Sequence, residues 1–323
     1  MSFSVPNDDY GGKKVCIEWR FDHVILLVED LEQGSNHFQH LGFSCAGEPR
    51  EQSWSGPSSM VSLKEQVLRK GSFALRLQQP VRGAGLPIEF MKKHGEGIYC
   101  VGFAVDDVSA ASNEMVRKGF PVLHSVEKGD GALLATYHDT REVVDIVVAL
   151  GEYDGTPRVG ATVDTAWTLE HLGVIVSDIH RAREFYESLG FAVVVPPVTL
   201  FSPDLSKRIL TECLLIKNGF VFELMEPIDE GSLWGEFLRH KNGGINHWSF
   251  AVNNLDIEHD TMVAKGFCPT SIARGTCDSL SEVYYDTSLV GNIQTCLYNG
   301  SSRLTFENTM RFLIDIGIPV QKG

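Results

Sequence analysis

The chain has 323 residues, 43% of them hydrophobic and 22% charged, which is enough to bury the cores of two ordinary domains. Its formal net charge of -14, with no long run of Lys and Arg, argues against a nucleic-acid partner and leaves a small molecule as the expected ligand. No apolar stretch approaches the roughly 20 residues that span a bilayer, and the opening MSFSVPNDDYGGKK lacks the apolar core of a signal peptide, so no membrane partner and a cytoplasmic location are expected.

In chain order, four segments share one pattern. FDHVILLVEDLEQGSNHFQHLGF starts at Phe21, GIYCVGFAVDDVSAASNEMVRKGF at Gly97, LEHLGVIVSDIHRAREFYESLGF at Leu169 and GINHWSFAVNNLDIEHDTMVAKGF at Gly244. Each reads as an apolar strand, an Asp or Asn helix cap, an amphipathic helix, and a Gly-Phe stop. Strand-like runs follow each: SFALRLQQ, then ALLATYHD with VVDIVVAL, then TECLLI with FVFELME, then VYYD with IQTCLY. Phe43 recurs at Phe191, Phe120 at Phe267 and His23 at His171, a steady offset of about 147 residues that predicts a duplicated module. The expected layout is α+β, with modules over 18–150 and 166–300, a linker near GEYDGTPRVGATVDT, and a tail over 301–323. That tail has helix-like spacing of Phe306, Met310, Leu313 and Ile314, suited to covering a barrel mouth or forming a homodimer contact.

Seven cysteines without CxxC spacing read as reduced thiols, and Cys16, Cys45, Cys213, Cys268, Cys277 and Cys296 have no evident role. His180, His240 and His259 fall on helices or loops. His37, His40, His94, His124 and His138 read as surface or turn residues. Phe201, Trp234, Trp248 and Phe250 suit a pocket wall or, more simply, a core. The glycine-rich KHGEG lacks the strand-turn-helix context of a phosphate loop.

Four βαβββ units in two modules resemble the vicinal oxygen chelate superfamily, which includes glyoxalase I, methylmalonyl-CoA epimerase, extradiol ring-cleaving dioxygenases and 4-hydroxyphenylpyruvate dioxygenase. The resemblance spans about residues 20–300. IEFMKKHGEGIYCVGFAVDD and LWGEFLRHKNGGINHWSFAVNN look like the epimerase segment leading into its second half. YHDTREVVDIVVALGEYDGTPRVG, closing the first module, looks like the tandem hydroxyphenylpyruvate dioxygenase layout. The resemblance implies that the paired units of each module form half-open barrels, with metal ligands on first and last strands. Carried onto the second module, it gives His171, Glu223 and His247, a donor set suited to Fe2+, with Zn2+, Mn2+, Ni2+ or Co2+ as other candidates. The family's last-strand Glu falls on Thr295, or on Gln294 after a one-residue slip. In the first module the shift gives His23, Arg76 and Cys100, with Asp145 near the last-strand position. Arg76 would repel a cation, so this half reads as a metal-free structural module. The alternative is a small polar pocket of His23, Arg76 and Asp145 for an anion.

Tyr284 and Tyr285 precede the final strand, where either phenol could serve a bound substrate as acid or hydrogen-bond donor, although strand aromatics usually pack. The leading expectation is a ring-cleaving or 2-oxo-acid dioxygenase acting on a small oxygen-rich substrate. The rivals are a metal-dependent isomerase, epimerase or lyase of glyoxalase type, and a metal-free ligand-binding or resistance protein.

Overall fold

A computed structural model of the chain describes residues 18–56, 59–152, 167–202, 205–274, 279–299 and 320–322. The first module contains β1 (Trp19–Leu27), α1 (Leu31–Leu41), β2 (Ser44–Cys45), β3 (Arg50–Gly56), β4 (Ser59–Lys70), β5 (Phe73–Gly83), α2 (Leu86–His94), β6 (Gly97–Val105), α3 (Val108–Arg117), β7 (Val122–Glu127), β8 (Leu133–Asp139), α4 (Arg141–Val144) and β9 (Val147–Glu152). The second contains β10 (Trp167–Ile175), α5 (Ile179–Ser188), β11 (Ala192–Phe201), β12 (Arg208–Lys217), β13 (Phe220–Pro227), α6 (Leu233–Lys241), β14 (Gly244–Val252), α7 (Leu255–Ala264), β15 (Pro269–Arg274), β16 (Leu280–Tyr285) and β17 (Gln294–Asn299), followed by β18 (Val320–Lys322).

The four repeated helices start and stop as their sequences dictate. Asp30, Asp107, Asp178 and Asn254 each accept a hydrogen bond from the backbone N–H three residues on, so one of the first-turn donors is satisfied by the cap. At the other end the chain turns left-handed at the glycine, as at Gly42 with φ of 104°, and the next Phe N–H returns to a carbonyl of the last turn. The run VVDIVVAL differs from expectation. Val143 and Val144 close the short helix α4, and the strand begins only at Val147.

Each module forms one mixed sheet. The first runs β2-β4-β5-β1-β6-β9-β8-β7 with β3 on β4, and the second runs β15-β16-β17-β14-β10-β13-β12-β11-β18. In both, two first strands pair antiparallel at the centre, and each is flanked on its other side by its own unit's last strand, running parallel. Each module therefore has a pseudo-twofold axis between its central strands. The tail contributes β18, which pairs with β11 at the sheet edge; Phe306, Met310, Leu313 and Ile314 lie outside the described residues, as do Cys16, Cys277 and most of the expected linker.

The helix-bearing sides of the two sheets share a single apolar core. Phe38, Phe43 and Phe73 of the first module surround Trp248, and Phe103 meets Phe191, Phe220 and Phe222 of the second. Trp248 and Phe250 are thus core residues, both fully buried. The duplication also produces a reciprocal clasp. Lys70 places its ammonium over the Trp167 ring at 4.4 Å, and Lys217, its counterpart, sits over Trp19 at 5.1 Å. The opposite side of each sheet curls around its own smaller cluster, which lines the lumen of a half-open barrel.

Because one core serves both modules, they should unfold together. Trp167→Ala should lower stability by about 3–5 kcal/mol while keeping a single calorimetric transition; a first-module transition left at its original temperature would show that the modules fold independently.

Candidate metal centre

The central strand pair of the second module brings its site together. His247 on β14 lies opposite Gly173 on β10, and His171 lies opposite Ser249. Glu223 on β13 lies beside Gly173 on the other flank, so Glu223 and His247 share a rung and His171 stands on the next. All three side chains point into the lumen and are buried. The Nε2 atoms of His171 and His247 are 3.1 Å apart, and Glu223 Oε2 is 3.2 Å from each.

Those spacings suit one cation. Three donors cis to one another around an ion with bonds of about 2.1 Å lie about 3 Å apart, and two imidazoles with one carboxylate form a facial set that leaves positions open. A cation also answers the local charge. Burial pushes the His171 pKa down, but the Glu223 and Glu170 carboxylates outweigh it and hold it up at about 10.

The residue before each histidine supplies the orientation, a feature that sequence reasoning passed over. Glu170 accepts from His171 Nδ1, and Asn246 Oδ1 accepts from His247 Nδ1 at 2.8 Å. Each interaction keeps the proton on Nδ1 and turns Nε2 inward, where it could ligate an ion. On a regular strand neighbours face opposite sides, but the ladder slips between Leu169 and His171, and this bulge lets Glu170 reach its neighbour. The signal was present in the sequence as EH and NH, with DH at Asp22-His23, where Asp22 Oδ2 is 2.6 Å from His23 Nδ1.

Gly173 is the other residue missed. A Cβ there would lie 1.9 Å from Cε1 of His247, so the imidazole occupies the space that any side chain would need. Ser249 also faces this lumen, fully buried, and its hydroxyl makes no hydrogen bond among the described residues.

The two tyrosines separate. Tyr284 directs its hydroxyl to within 3.5 Å of His247 Nε2. Tyr285, the next residue, faces the helix side and hydrogen-bonds His259 Nδ1 on α7 at 2.9 Å, which places it away from the lumen.

The last strand corrects the expectation for its ligand position. The pseudo-twofold that exchanges His171 with His247 carries Glu223 onto Cys296, because Cys296 pairs with Ser249 as Glu223 pairs with Gly173. Thr295 faces the core, accepting from Trp248 Nε1 at 2.8 Å and bonding Thr287 at 3.0 Å. Gln294 shares the His247 face but occupies the rung of His247 itself, where the twofold places the counterpart of Val221. The fourth position thus holds a buried thiol, whose Sγ donates to Glu282 Oε1 on β16 at 3.4 Å.

In the first module, Arg76 takes the Glu223 position, Cys100 the His247 position and Ala149 the Cys296 position, while His23 matches His171. Asp145 is not among them. It follows α4 in a left-handed conformation, near Lys93, Arg141 and Asn242, so the expected trio of His23, Arg76 and Asp145 does not assemble. His124 and His138, expected at the surface, are buried on β7 and β8; His138 bonds the Phe120 carbonyl and Thr136.

The model of the glyoxalase/bleomycin resistance protein/dioxygenase superfamily matches residues 22–137 and 170–284, one stretch in each module. The chain belongs to that superfamily. Its fold is the vicinal oxygen chelate fold in tandem. A triple mutant of 4-hydroxymandelate synthase from Streptomyces coelicolor superposes with a TM-score of 0.68 at 17% identity, covering 93% of this chain and 98% of that one. A xylose isomerase-like TIM barrel/4-hydroxyphenylpyruvate dioxygenase fusion protein matches at 13% identity and a TM-score of 0.55, over 92% of this chain and 51% of its own. Methylmalonyl-CoA epimerase from Mycobacterium tuberculosis matches 46% of this chain and 98% of its own, at 24% identity and a TM-score of 0.36. Among the described residues no helix is long and apolar enough to cross a membrane.

Two predictions follow from side-chain placement. Gly173→Ala should displace the His247 ring and reduce divalent-metal affinity at least about tenfold with far-UV circular dichroism unchanged; undiminished affinity by calorimetry would show that the ring has other room. Burial raises the Asp145 pKa to about 6, despite Lys93 and Arg141. A carboxyl raised above its unfolded value favours folding while protonated, and that contribution is lost as pH rises through about 6. Asp145→Asn should therefore stabilise the chain at pH 7–8 by on the order of 1–3 kcal/mol, with the gain vanishing below about pH 4 in thermal melts.

Proposed function

We propose that the chain is a mononuclear metal-dependent enzyme acting on a small oxygen-rich molecule, with a dioxygenase of the ring-cleaving or 2-oxo-acid class as the leading reading. The observation that carries it is the convergence of His171, Glu223 and His247 within 3.2 Å, each buried. These residues would hold a divalent ion, Fe2+ first, with Zn2+, Mn2+, Ni2+ or Co2+ as the other candidates; such an ion supplies Lewis acidity and, if iron, access to dioxygen chemistry.

The protein's own groups have separable tasks. Glu170 and Asn246 keep the two imidazoles facing inward. The Tyr284 hydroxyl, beside His247, donates a hydrogen bond to a substrate oxygen bound there and can pass its proton to charge developing on that oxygen. Ser249 offers a second hydroxyl one rung away. With Cys296 in the place of the last-strand carboxylate, proton abstraction by a residue at that position loses its usual base, which favours oxygen chemistry over a direct glyoxalase mechanism.

One observation favours the isomerase, epimerase or lyase reading. Glu282 reaches Cys296 from the neighbouring strand and brings a carboxylate close to the vacated position. A metal-free binding protein is the third reading, and metal content distinguishes it from the other two.

Elemental analysis of the full chain purified without chelator should find about one divalent ion per chain, lost in Glu223→Ala. Iron together with substrate-dependent oxygen uptake supports the dioxygenase. Turnover without oxygen consumption moves the assignment to the isomerase or lyase, and unchanged metal stoichiometry in Glu223→Ala removes Glu223 from the site.

A further inference from the structure

The lumen of the first barrel is polar in a way that a purely structural module does not require. Glu65 on β4 is fully buried, and its carboxylate is held from two sides: Arg76 Nε and Nη2 reach Oε2 at 2.9 and 2.7 Å, and Arg50 Nε and Nη2 reach Oε1 at 3.1 and 2.7 Å. Gln52 and Gln78 each donate to it as well, at 2.8 and 2.7 Å. Two guanidinium groups thus answer one carboxylate. Leaving charged groups in a barrel interior costs more than filling it with aliphatic side chains, so this arrangement calls for another role.

Beside it lies a cavity of about 480 Å³, within the range of small-molecule sites. Arg76 presents its third edge there. With Nε and Nη2 on Glu65, Nη1 is directed toward His23 Nε2 at a long 3.5 Å, and the guanidinium side chain remains 20% exposed while Glu65 behind it has no exposure. A guanidinium carries five N–H donors. Glu65 takes two of them and the Tyr137 hydroxyl, which also lines the cavity, accepts from the same group, so donors remain for a ligand seated beside Tyr137. Val126, Ala135 and Ala149 supply the apolar part of the cavity's lining, alongside His124 and Tyr137. The acidic groups lining the cavity are already engaged: Asp22 with His23 Nδ1 at 2.6 Å and Glu152 with Lys128 at 2.7 Å.

The duplication sharpens the chemical class. Arg76 occupies the position of Glu223, so the first barrel carries a fixed positive group where the second carries a carboxylate able to hold a positive ion. We propose that the lumen of the first barrel binds a small organic acid, its carboxylate on the Arg76 guanidinium and its apolar body against Ala149, Ala135 and Val126. The site is independent of the metal reading of the second barrel.

Benzoate is the probe, with benzamide as its neutral match, titrated calorimetrically into the full chain. Saturable binding of about one benzoate per chain is expected, with benzamide at least about tenfold weaker. Arg76→Met should weaken benzoate by a similar factor; Glu65 keeps Arg50, Gln52 and Gln78, so the fold has no unpaired charge to accommodate. Ala149→Leu, which fills the cavity without touching the charges, should weaken benzoate and benzamide alike, and it serves should Arg76→Met fail to fold. His247→Ala should leave benzoate binding unchanged. No saturable binding up to about 10 mM, equal affinity for benzamide, or binding that is lost in His247→Ala but kept in Arg76→Met and Ala149→Leu would overturn the proposal.

Discussion

The antiparallel pairing of two first strands, repeated in each module, is the constraint on which the rest depends. Pairing β10 with β14 puts His171 opposite Ser249 and His247 opposite Gly173, so two imidazoles from segments 76 residues apart meet across adjacent rungs. Flanking that pair with parallel last strands brings Glu223 to one side and Cys296 to the other. The bulge before His171 belongs to the same device, since without it Glu170 would face the core and its neighbour's Nδ1 would lack a carboxylate partner. Site and fold are therefore not separable: a one-residue slip of β14 against β10 would turn His247 to the apolar side, away from His171.

The two sides of each sheet are divided by role. One side is committed to the shared core, where aromatic residues of both modules interleave and Lys70 and Lys217 each cover the other module's first-strand tryptophan. The other side encloses a lumen. Rigidity on the core side allows polar groups on the lumen side to be held at short, fixed distances, which is what preorganised ligands need.

What could be read in advance follows the period of each signal. The caps, the Gly-Phe stops and the 147-residue offset are local or repetitive, and the structure reproduces them at Asp30, Asp107, Asp178, Asn254 and the four glycines. The convergence of His171, Glu223 and His247, which the structure shows, was legible through the family resemblance, which assigns ligands to first and last strands. The last strand was not, for a physical reason: side chains alternate with period two, so placing the ligand position at Thr295 when the pairing selects Cys296 moves it to the opposite face. The same parity separates Tyr284 from Tyr285. Asp145 and the buried His124 and His138 escaped because only tertiary packing decides which polar residues near a strand end are covered.

Duplication gives this fold two copies of one geometry, and of the second module's set only the histidine at His171 is kept in the first, as His23. Where the second barrel has Glu223, the first has Arg76; where the second gathers donors that could hold a cation, the first holds its own cation and neutralises it from behind with Glu65. The His position is retained in both, with its acidic neighbour, yet burial keeps His23 below the ordinary imidazole range despite Asp22, whereas the Glu223 and Glu170 carboxylates hold His171 up at about 10. Arg76 for Glu223, Cys100 for His247 and Ala149 for Cys296 thus dismantle the donor set in the first module without disturbing the strands that carry it. The sheet fixes where the groups stand, and the residues on those rungs decide what they can hold.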